Sequence, residues 1–269
     1  MRIRDLFEKY GQEDVKIVAS YILDKSYGQI LAEANNEVAI GDLAAIVEVL
    51  EKIEDGIPIQ YALGRWEFYS REYLVNPNVL IPRRETELLC EFVLAEGLKG
   101  KKVLDIGTGS GAIAITLALE EPSCQVCASD ISKAALEVAK SNASRLEADI
   151  KLYESDLFEN IYDKFDIVVS NPPYISQADY DDLDELLYFE PKNALLAGDK
   201  GYEIYQRIID KLPDYLNDGG KVFFEIGYDQ GNVLKAMLLE KGFVDIYVHK
   251  DYGNIDRIIE GCYKKGSDI

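Results

Sequence analysis

Four consecutive residues, Asn171-Pro172-Pro173-Tyr174, follow the short run Val168-Val169-Ser170 and end it abruptly. Asn-Pro is a common turn dipeptide, and a turn is the simplest reading of the four letters alone. Their chemistry allows more. Pro172 holds Asn171 extended, and Pro172 and Pro173 fix their own φ angles and offer no N–H. What remains is a stiff pair of acceptors, the Asn171 side-chain oxygen and the Pro172 carbonyl. An –NH2 group has two hydrogens to donate, and Tyr174 offers a ring for a flat group to pack against. The corner therefore suits the planar NH2 of an amide or a nucleobase. Such a nitrogen is a poor nucleophile because its lone pair is delocalised, the same resonance that gives the peptide bond a barrier of about 18–20 kcal/mol. Two fixed acceptors make that nitrogen more available, and positioning it against an electrophile contributes on the order of 7–11 kcal/mol.

A second constellation lies upstream. Asp105-Ile106-Gly107-Thr108-Gly109-Ser110-Gly111-Ala112 places three glycines at alternate positions between a strand-like and a helix-like run. Glycines there allow a tight turn and close approach of a ligand to the backbone. The spacing is GxGxG, not the GxGxxG of dinucleotide folds. Asp130 ends the next strand-like run, 23 positions after Gly107, where an acid can accept from both ribose hydroxyls. Together they read as a nucleoside site. The plainer alternative is a tight turn, with Asp130 capping the helix that follows. A nicotinamide enzyme would also use a glycine loop. It gains nothing from Asn171 to Tyr174, however, and its acid–base group would have to be the single histidine, His249.

These residues need elements to hold them. Residues up to about 64 carry apolar side chains at three- and four-residue intervals, as in DVKIVASYILDKSYGQILAE and DLAAIVEVLEKI, with Asp42 as an N-cap before the second. They predict a small helical bundle. Residues 65–82 hold prolines and asparagines in loose alternation and predict a hairpin connector. From residue 83 on, strand-like and helix-like runs alternate. The strands are KKVLDIG, QVCASD, IKLYESD, FDIVVSN, GKVFFEIG, FVDIYVHK and DRIIEGCYK. That alternation predicts an α/β fold with a mainly parallel sheet covered on both faces. The short link between the last two strands makes them antiparallel.

Composition narrows the partners. The formal charge is −20, from 29 basic and 49 acidic residues, a balance that disfavours nucleic acid and suits a basic protein. Four cysteines include the pair Cys124 and Cys127. Cys127 falls inside a strand, so the pair reads as structural rather than as redox or metal chemistry. One histidine leaves no His-rich metal site and no usual catalytic triad. No apolar run approaches the roughly 20 residues needed to span a bilayer. The opening residues mix both charge signs and lack a secretory pattern, so the expectation is a cytoplasmic protein without a membrane anchor or a bound metal.

DIGTGSGAIAI, Asp130, Ser155-Asp156-Leu157-Phe158 and Asn171-Pro172-Pro173-Tyr174 together resemble the seven-stranded methyltransferases that use S-adenosylmethionine. Asn171 to Tyr174 alone does not choose among adenine, guanine and glutamine as the target. Other stretches do: Pro58-Ile59-Gln60-Tyr61 with Gly64-Arg65-Trp66-Glu67-Phe68-Tyr69, Val79-Leu80-Ile81-Pro82-Arg83-Arg84-Glu85-Thr86-Glu87, Phe189-Glu190-Pro191, and Asp251-Tyr252-Gly253 with Asp256-Arg257. In combination they resemble the release-factor glutamine methyltransferases from about residue 10 onward.

The resemblance implies a Rossmann-like seven-stranded sheet with an antiparallel last strand over residues 83–269. It implies a helical substrate-docking domain over 1–64 and a connector over 65–82. It implies that Gly107, Thr108, Gly109, Ser110, Gly111, Asp130, Asp156, Leu157 and Asn171 bind S-adenosylmethionine, with S-adenosylhomocysteine as product. It makes Asn171, Pro172 and Tyr174 catalytic, with Pro173 joining them in holding the substrate. The substrate implied is the glutamine of the Gly-Gly-Gln loop of class I release factors, methylated on N5 by a monomer that binds no nucleic acid directly. Leu157 stands where many relatives carry tryptophan, and Arg84 where proline is usual.

Several residues have a plain structural reading beside the functional one. Gln60, Tyr61 and Phe68 could pack a domain interface, and Glu85 and Thr86 could be first-turn helix residues. Glu190 could mark a break, Glu225 could cap an element, and Asp179 to Glu190 could be a solvated acidic face. The competing functions are a ribosomal-protein glutamine methyltransferase, a nucleic-acid amine methyltransferase and a non-catalytic cofactor-binding adaptor.

Overall fold

The computed structural model describes residues 1–266, so residues 267–269, the end of the expected catalytic portion, lie outside it. The chain opens with helices α1 (Ile3–Tyr10), α2 (Gln12–Leu23), α3 (Tyr27–Ala32), α4 (Ile40–Glu54) and α5 (Ile59–Leu63). A hairpin follows, β1 (Arg65–Phe68) and β2 (Arg71–Leu74), then α6 (Arg84–Ala95). Next come β3 (Lys102–Ile106), α7 (Ala112–Glu120), β4 (Gln125–Asp130), α8 (Lys133–Leu146), β5 (Ile150–Glu154) and β6 (Phe165–Ser170). After β6 lie β7 (Ile175–Ser176), α9 (Gln177–Asp181), a 3-10 turn, α10 (Lys192–Leu195) and β8 (Leu196–Gly198). The chain continues with α11 (Glu203–Tyr215), β9 (Leu216–Glu225), α12 (Gly231–Glu240), β10 (Phe243–Lys250) and β11 (Asp256–Tyr263).

The seven strands read from the sequence form one sheet in the order β10-β11-β9-β6-β3-β4-β5. The pairs β3–β4, β4–β5, β3–β6 and β6–β9 are parallel. β11 runs antiparallel to both of its neighbours, β9 and β10. The central strands are nearly continuous apolar runs because both faces are covered. Side chains alternate between two cores: Val103, Ile167, Val169 and Phe223 face α6 and α7, while Leu104, Ile106, Val168 and Phe224 face α11 and α12. Ala112 to Ala118 of α7 are buried all round, as expected of a helix apolar on every side.

Strand order reverses at β3. The chain runs outward through β4 and β5, then returns to place β6 on the other side of β3. Ligands of open α/β sheets bind beyond the carboxyl ends of the strands at such a reversal. Ile106 and Ser170 pair there, and the residues that follow them are Gly107 and Asn171.

The front helices enclose a separate core around Leu6, Val15, Val18, Ile30, Ile46 and Leu50. The single helical stretch expected over residues 14–33 is two helices, broken where Asp24 turns left-handed at φ 51. Ser26 restarts the chain as a capping box with Gln29. Ala39, not Asp42, sits at the N-cap of α4. Asp42 falls in the first turn, where a carboxylate still favours the helix dipole. Arg65 Nη2 donates to the Tyr21 carbonyl (2.9 Å), and Trp66 stacks on Tyr21, so the hairpin grips α2. The pair β7–β8 was not legible in the sequence; it is a two-stranded parallel ladder just after Tyr174. Among the described residues, no helix is long and apolar enough to cross a membrane.

Candidate active site

A cavity of about 270 Å³ opens at the strand reversal. Gly107, Gly109, Asp130 and Leu157 line it together with Thr86, Asn171, Pro172 and Pro173. Of the residues expected to form the site, Thr108, Ser110 and Asp156 also line it, whereas Gly111 and Tyr174 stand outside its wall.

The glycine loop is shaped by its backbone. Gly107 and Thr108 donate their N–H groups to the Ser129 carbonyl at the end of β4 (2.8 and 3.0 Å), and Gly111 N–H closes the turn on Thr108 (2.8 Å). Gly107 and Gly109 have φ of +71° and +55°, and a Cβ on either would meet nothing within 4 Å. Their backbone faces open space, as close approach of a ligand requires. Gly111 does different work. A Cβ there would stand 2.8 Å from Ile115 Cδ1 and 3.2 Å from Ala139 Cβ, so this glycine lets α7 and α8 pack.

Asp130 accepts from Gly109 N–H (2.9 Å) and Ser132 N–H (2.8 Å). The cap of α8 is Ser132, whose Oγ accepts from Ala135 N–H, so Asp130 does not fill that role. Burial raises the Asp130 carboxyl against those hydrogen bonds. Behind the loop, fully buried Asp105 accepts from the Thr108 hydroxyl (2.7 Å), and burial pushes its carboxyl up to about 7. Asp156 is clasped by Arg207 Nη2 at 2.9 and 2.8 Å. Leu157 adopts φ 53, a left-handed conformation that is costly for a branched side chain.

Asn171 Nδ2 donates to Thr86 Oγ1 (3.1 Å), and Thr86 Oγ1 donates to Glu225 Oε2 (2.6 Å). Glu225 is buried, which pushes its carboxyl up to about 7 even though Thr86 and Arg257 favour the charged form. Gln230 Nε2 holds the Tyr174 carbonyl at 3.0 Å. The Tyr174 ring packs on the core beside α11, and burial pushes its phenol up to about 12. Glu190 is buried, accepts Ile81 N–H (2.9 Å) and pairs with Arg83 on the cavity wall.

Tyr61 and Phe68 have packing roles. Tyr61 Oη donates to the Val79 carbonyl (2.6 Å), and Phe68 meets Tyr73 edge-on. His249 packs on Phe92 with the rings tilted by 30° and meets Glu260 at 3.0 Å, away from the cavity. Cys124 and Cys127 are buried free thiols.

Sequence reasoning missed the functional weight of Thr86 and missed Asn142 and Gln230 altogether. A signal existed for two of them. Thr86 shares the buried stripe of α6 with Leu89, Cys90 and Val93, and Asn142 shares that of α8 with Ala135, Val138 and Ala139. A polar residue on an apolar stripe needs a buried partner.

Open-backed glycines, an acid at the next strand end and apolar side chains between them fit a nucleoside. The same cavity is lined by an amide followed by two prolines. Sheet order and site together define a Rossmann-like methyltransferase. The family model described as Methyltransferase small domain matches residues 84–198. A release factor glutamine methyltransferase of Lactococcus lactis is 44% identical over 222 residues, covering 81% of this chain and 82% of the relative. That of Bacillus subtilis is 40% identical, covering 93% and 91%. Among solved structures, the E. cuniculi Mtq2–Trm112 complex, described as responsible for methylating the termination factor eRF1, aligns at a TM-score of 0.52. Its identity is 27%, over 70% of this chain and 99% of that one. The chain belongs to the release factor glutamine methyltransferase family.

Proposed function

We propose that this chain transfers a methyl group from S-adenosylmethionine to the side-chain N5 of the glutamine in the Gly-Gly-Gln loop of class I release factors. The observation that carries the reading is Asn171. Its amide is tethered through Nδ2 to Thr86 at the cavity wall, which leaves Oδ1 as the acceptor for an incoming NH2.

S-adenosylmethionine supplies an electrophilic methyl group and leaves as S-adenosylhomocysteine. Gly107, Thr108, Gly109 and Ser110 hold its flexible end, Asp130 takes the ribose hydroxyls, and Asp156 and Leu157 border the adenine. Gly111 supports them from behind the loop. Asn171 and the Pro172 carbonyl accept the two amide hydrogens of the glutamine and turn its lone pair toward the methyl group. Pro173 keeps that corner stiff, and Tyr174 anchors it through packing. The glutamine nitrogen keeps one hydrogen and sheds the other as a proton once the N–C bond has formed. Residues 1–64 dock the release factor, residues 65–82 connect, and the rest carries the chemistry. The enzyme works as a cytoplasmic monomer, and its acidic surface selects a basic protein over nucleic acid.

The test is transfer from labelled S-adenosylmethionine to unmodified release factor, with a Gln→Ala loop variant, ribosomal protein and DNA in parallel tubes. Label on the release-factor glutamine alone is the expected result. Label confined to ribosomal protein or DNA replaces the substrate, and no label with bound donor indicates an adaptor. Asn171→Ala should lower kcat by at least about 10²-fold and change donor Kd by less than about threefold, checked by calorimetry. Full turnover in that variant would sink the mechanism.

A further inference from the structure

Three groups from three elements stand in a line behind the site. Thr86 lies in the first turn of α6, Glu225 ends β9, and Asn171 follows β6. Thr86 and Glu225 are 5% and 2% exposed, so water does not compete for their hydrogen bonds. A carboxylate can only accept. The single Thr86 proton therefore goes to Glu225, and the hydroxyl has only a lone pair to offer Asn171. Of the two ends of the Asn171 amide, only Nδ2 can use it. Turning that amide by half a revolution would set oxygen against oxygen.

Resting on the functional reading above, we propose that Glu225, acting through Thr86, fixes the direction of the Asn171 amide. An oxygen and not an NH2 then faces the nitrogen to be methylated. Thr86 and Glu225 are thus positioning residues, and they select a donor –NH2 over an acceptor at the target. With Glu225 protonated the constraint is lost: the acid can then donate to Thr86, Thr86 to the Asn171 oxygen, and an NH2 can turn toward the incoming NH2. Groups facing Glu225 come from several elements. They are Arg83, Glu85 and Cys90 from the α6 side, Arg257 on β11, and the phenols of Tyr174 and Tyr205. The two arginines favour the carboxylate, Glu85 opposes it, and burial, the largest influence, raises it to about 7. The working direction is therefore the one adopted above neutral pH.

The test pairs kinetics with a spectroscopic signal. Thr86→Val and Glu225→Leu, which leaves the Thr86 proton no carboxylate to go to, should each lower kcat at saturating donor and release factor on the order of 10²-fold, as a misplacement of about 1 Å can. Donor KM should stay within about twofold, and Thr86→Ser should restore most of the rate. Wild-type kcat should rise with pH through about 7, and that limb should vanish in Glu225→Leu. A limb owed to Asp105 would persist. The second readout needs no substrate: the side-chain amide resonance of Asn171 in protein labelled with 15N-asparagine, identified by its loss in Asn171→Ala. It should titrate near pH 7 in the wild type and shift in both variants. Wild-type kcat in Thr86→Val and Glu225→Leu, or an unmoved and pH-independent resonance, overturns the proposal. If the wild type places no methyl on the release-factor glutamine, the functional reading falls, and the resonance still decides the relay.

Discussion

Asp105 shows how a single side chain at the site sets a pH dependence for the whole fold. It is fully buried at the end of β3, and burial holds its carboxyl at about 7, against roughly 4 in an unfolded chain. A raised acid binds its proton more tightly in the folded state. Its contribution to stability is therefore fully present below about pH 4 and is lost as pH rises through about 7. Above that, keeping the ionised form buried costs on the order of 4 kcal/mol. Asp105→Asn keeps an acceptor for the Thr108 hydroxyl and removes the charge. Its urea midpoint relative to wild type should climb from pH 5 to about pH 7 and level off from there to pH 9. A difference that stays flat across that range would show that Asp105 remains ionised throughout at little cost. Chemistry at this scale was partly legible before the structure. Asn171 announced itself because two prolines leave few conformations. Thr86 did not, because its partners, Asn171 and Glu225, are 85 and 139 positions away and no local pattern encodes them.

Elements meet at Asn142, and one buried amide ties three of them. Its Oδ1 accepts from Leu74 N–H (2.7 Å), and its Nδ2 donates to the Leu74 carbonyl (3.0 Å) and the Ser110 carbonyl (2.9 Å). The connector hairpin, helix α8 and the glycine loop are thereby held in one frame. Asn142→Ala strands three backbone groups, one buried and two partly buried, and each unsatisfied buried group costs about 1–3 kcal/mol. The expected loss is about 3 kcal/mol of stability in denaturant melts. Donor affinity should weaken as well, since Ser110 lies in the loop that holds it. Unchanged stability with unchanged affinity would mean that water replaces the amide. The hairpin itself was legible as a connector, and the seven sheet strands were legible because their apolar runs are long and their helices regular. Asp42 misled because an acid near a helix start serves equally in the first turn and at the cap. The break at Asp24 was hidden because helical periodicity continues across it. The β7–β8 ladder escaped because two-residue strands have no period to read.

Charge acts at the scale of the molecule. The front helices build their own core, and among the described residues no member of it belongs to either sheet core, as the proposed docking role requires. A chain segment rich in acid follows the Asn-Pro-Pro-Tyr corner. Asp179, Asp181, Asp182, Asp184 and Glu185 are exposed, with Leu186, Tyr188 and Phe189 exposed beside them. Ser176, just past the Asn-Pro-Pro-Tyr corner, caps the helix where this segment begins. A partner surface rich in lysine and arginine is attracted by a protein at −20 over a distance of about a Debye length, roughly 10 Å at 0.1 M salt. Attraction of that range raises the rate of encounter and leaves the chemical step alone. The kcat/KM for release factor should therefore fall by about tenfold between roughly 0.05 and 0.5 M salt, while kcat at saturation stays within about twofold. Replacing Asp181, Asp182 and Glu185 with Asn, Asn and Gln should flatten that slope by more than the same charge removed from Glu13, Glu137 and Glu240, exposed acids on other helices. Equal flattening by the two sets would assign the steering to net charge alone. A kcat that falls with salt as steeply as kcat/KM would place the acidic segment in the bound complex, not on the approach to it.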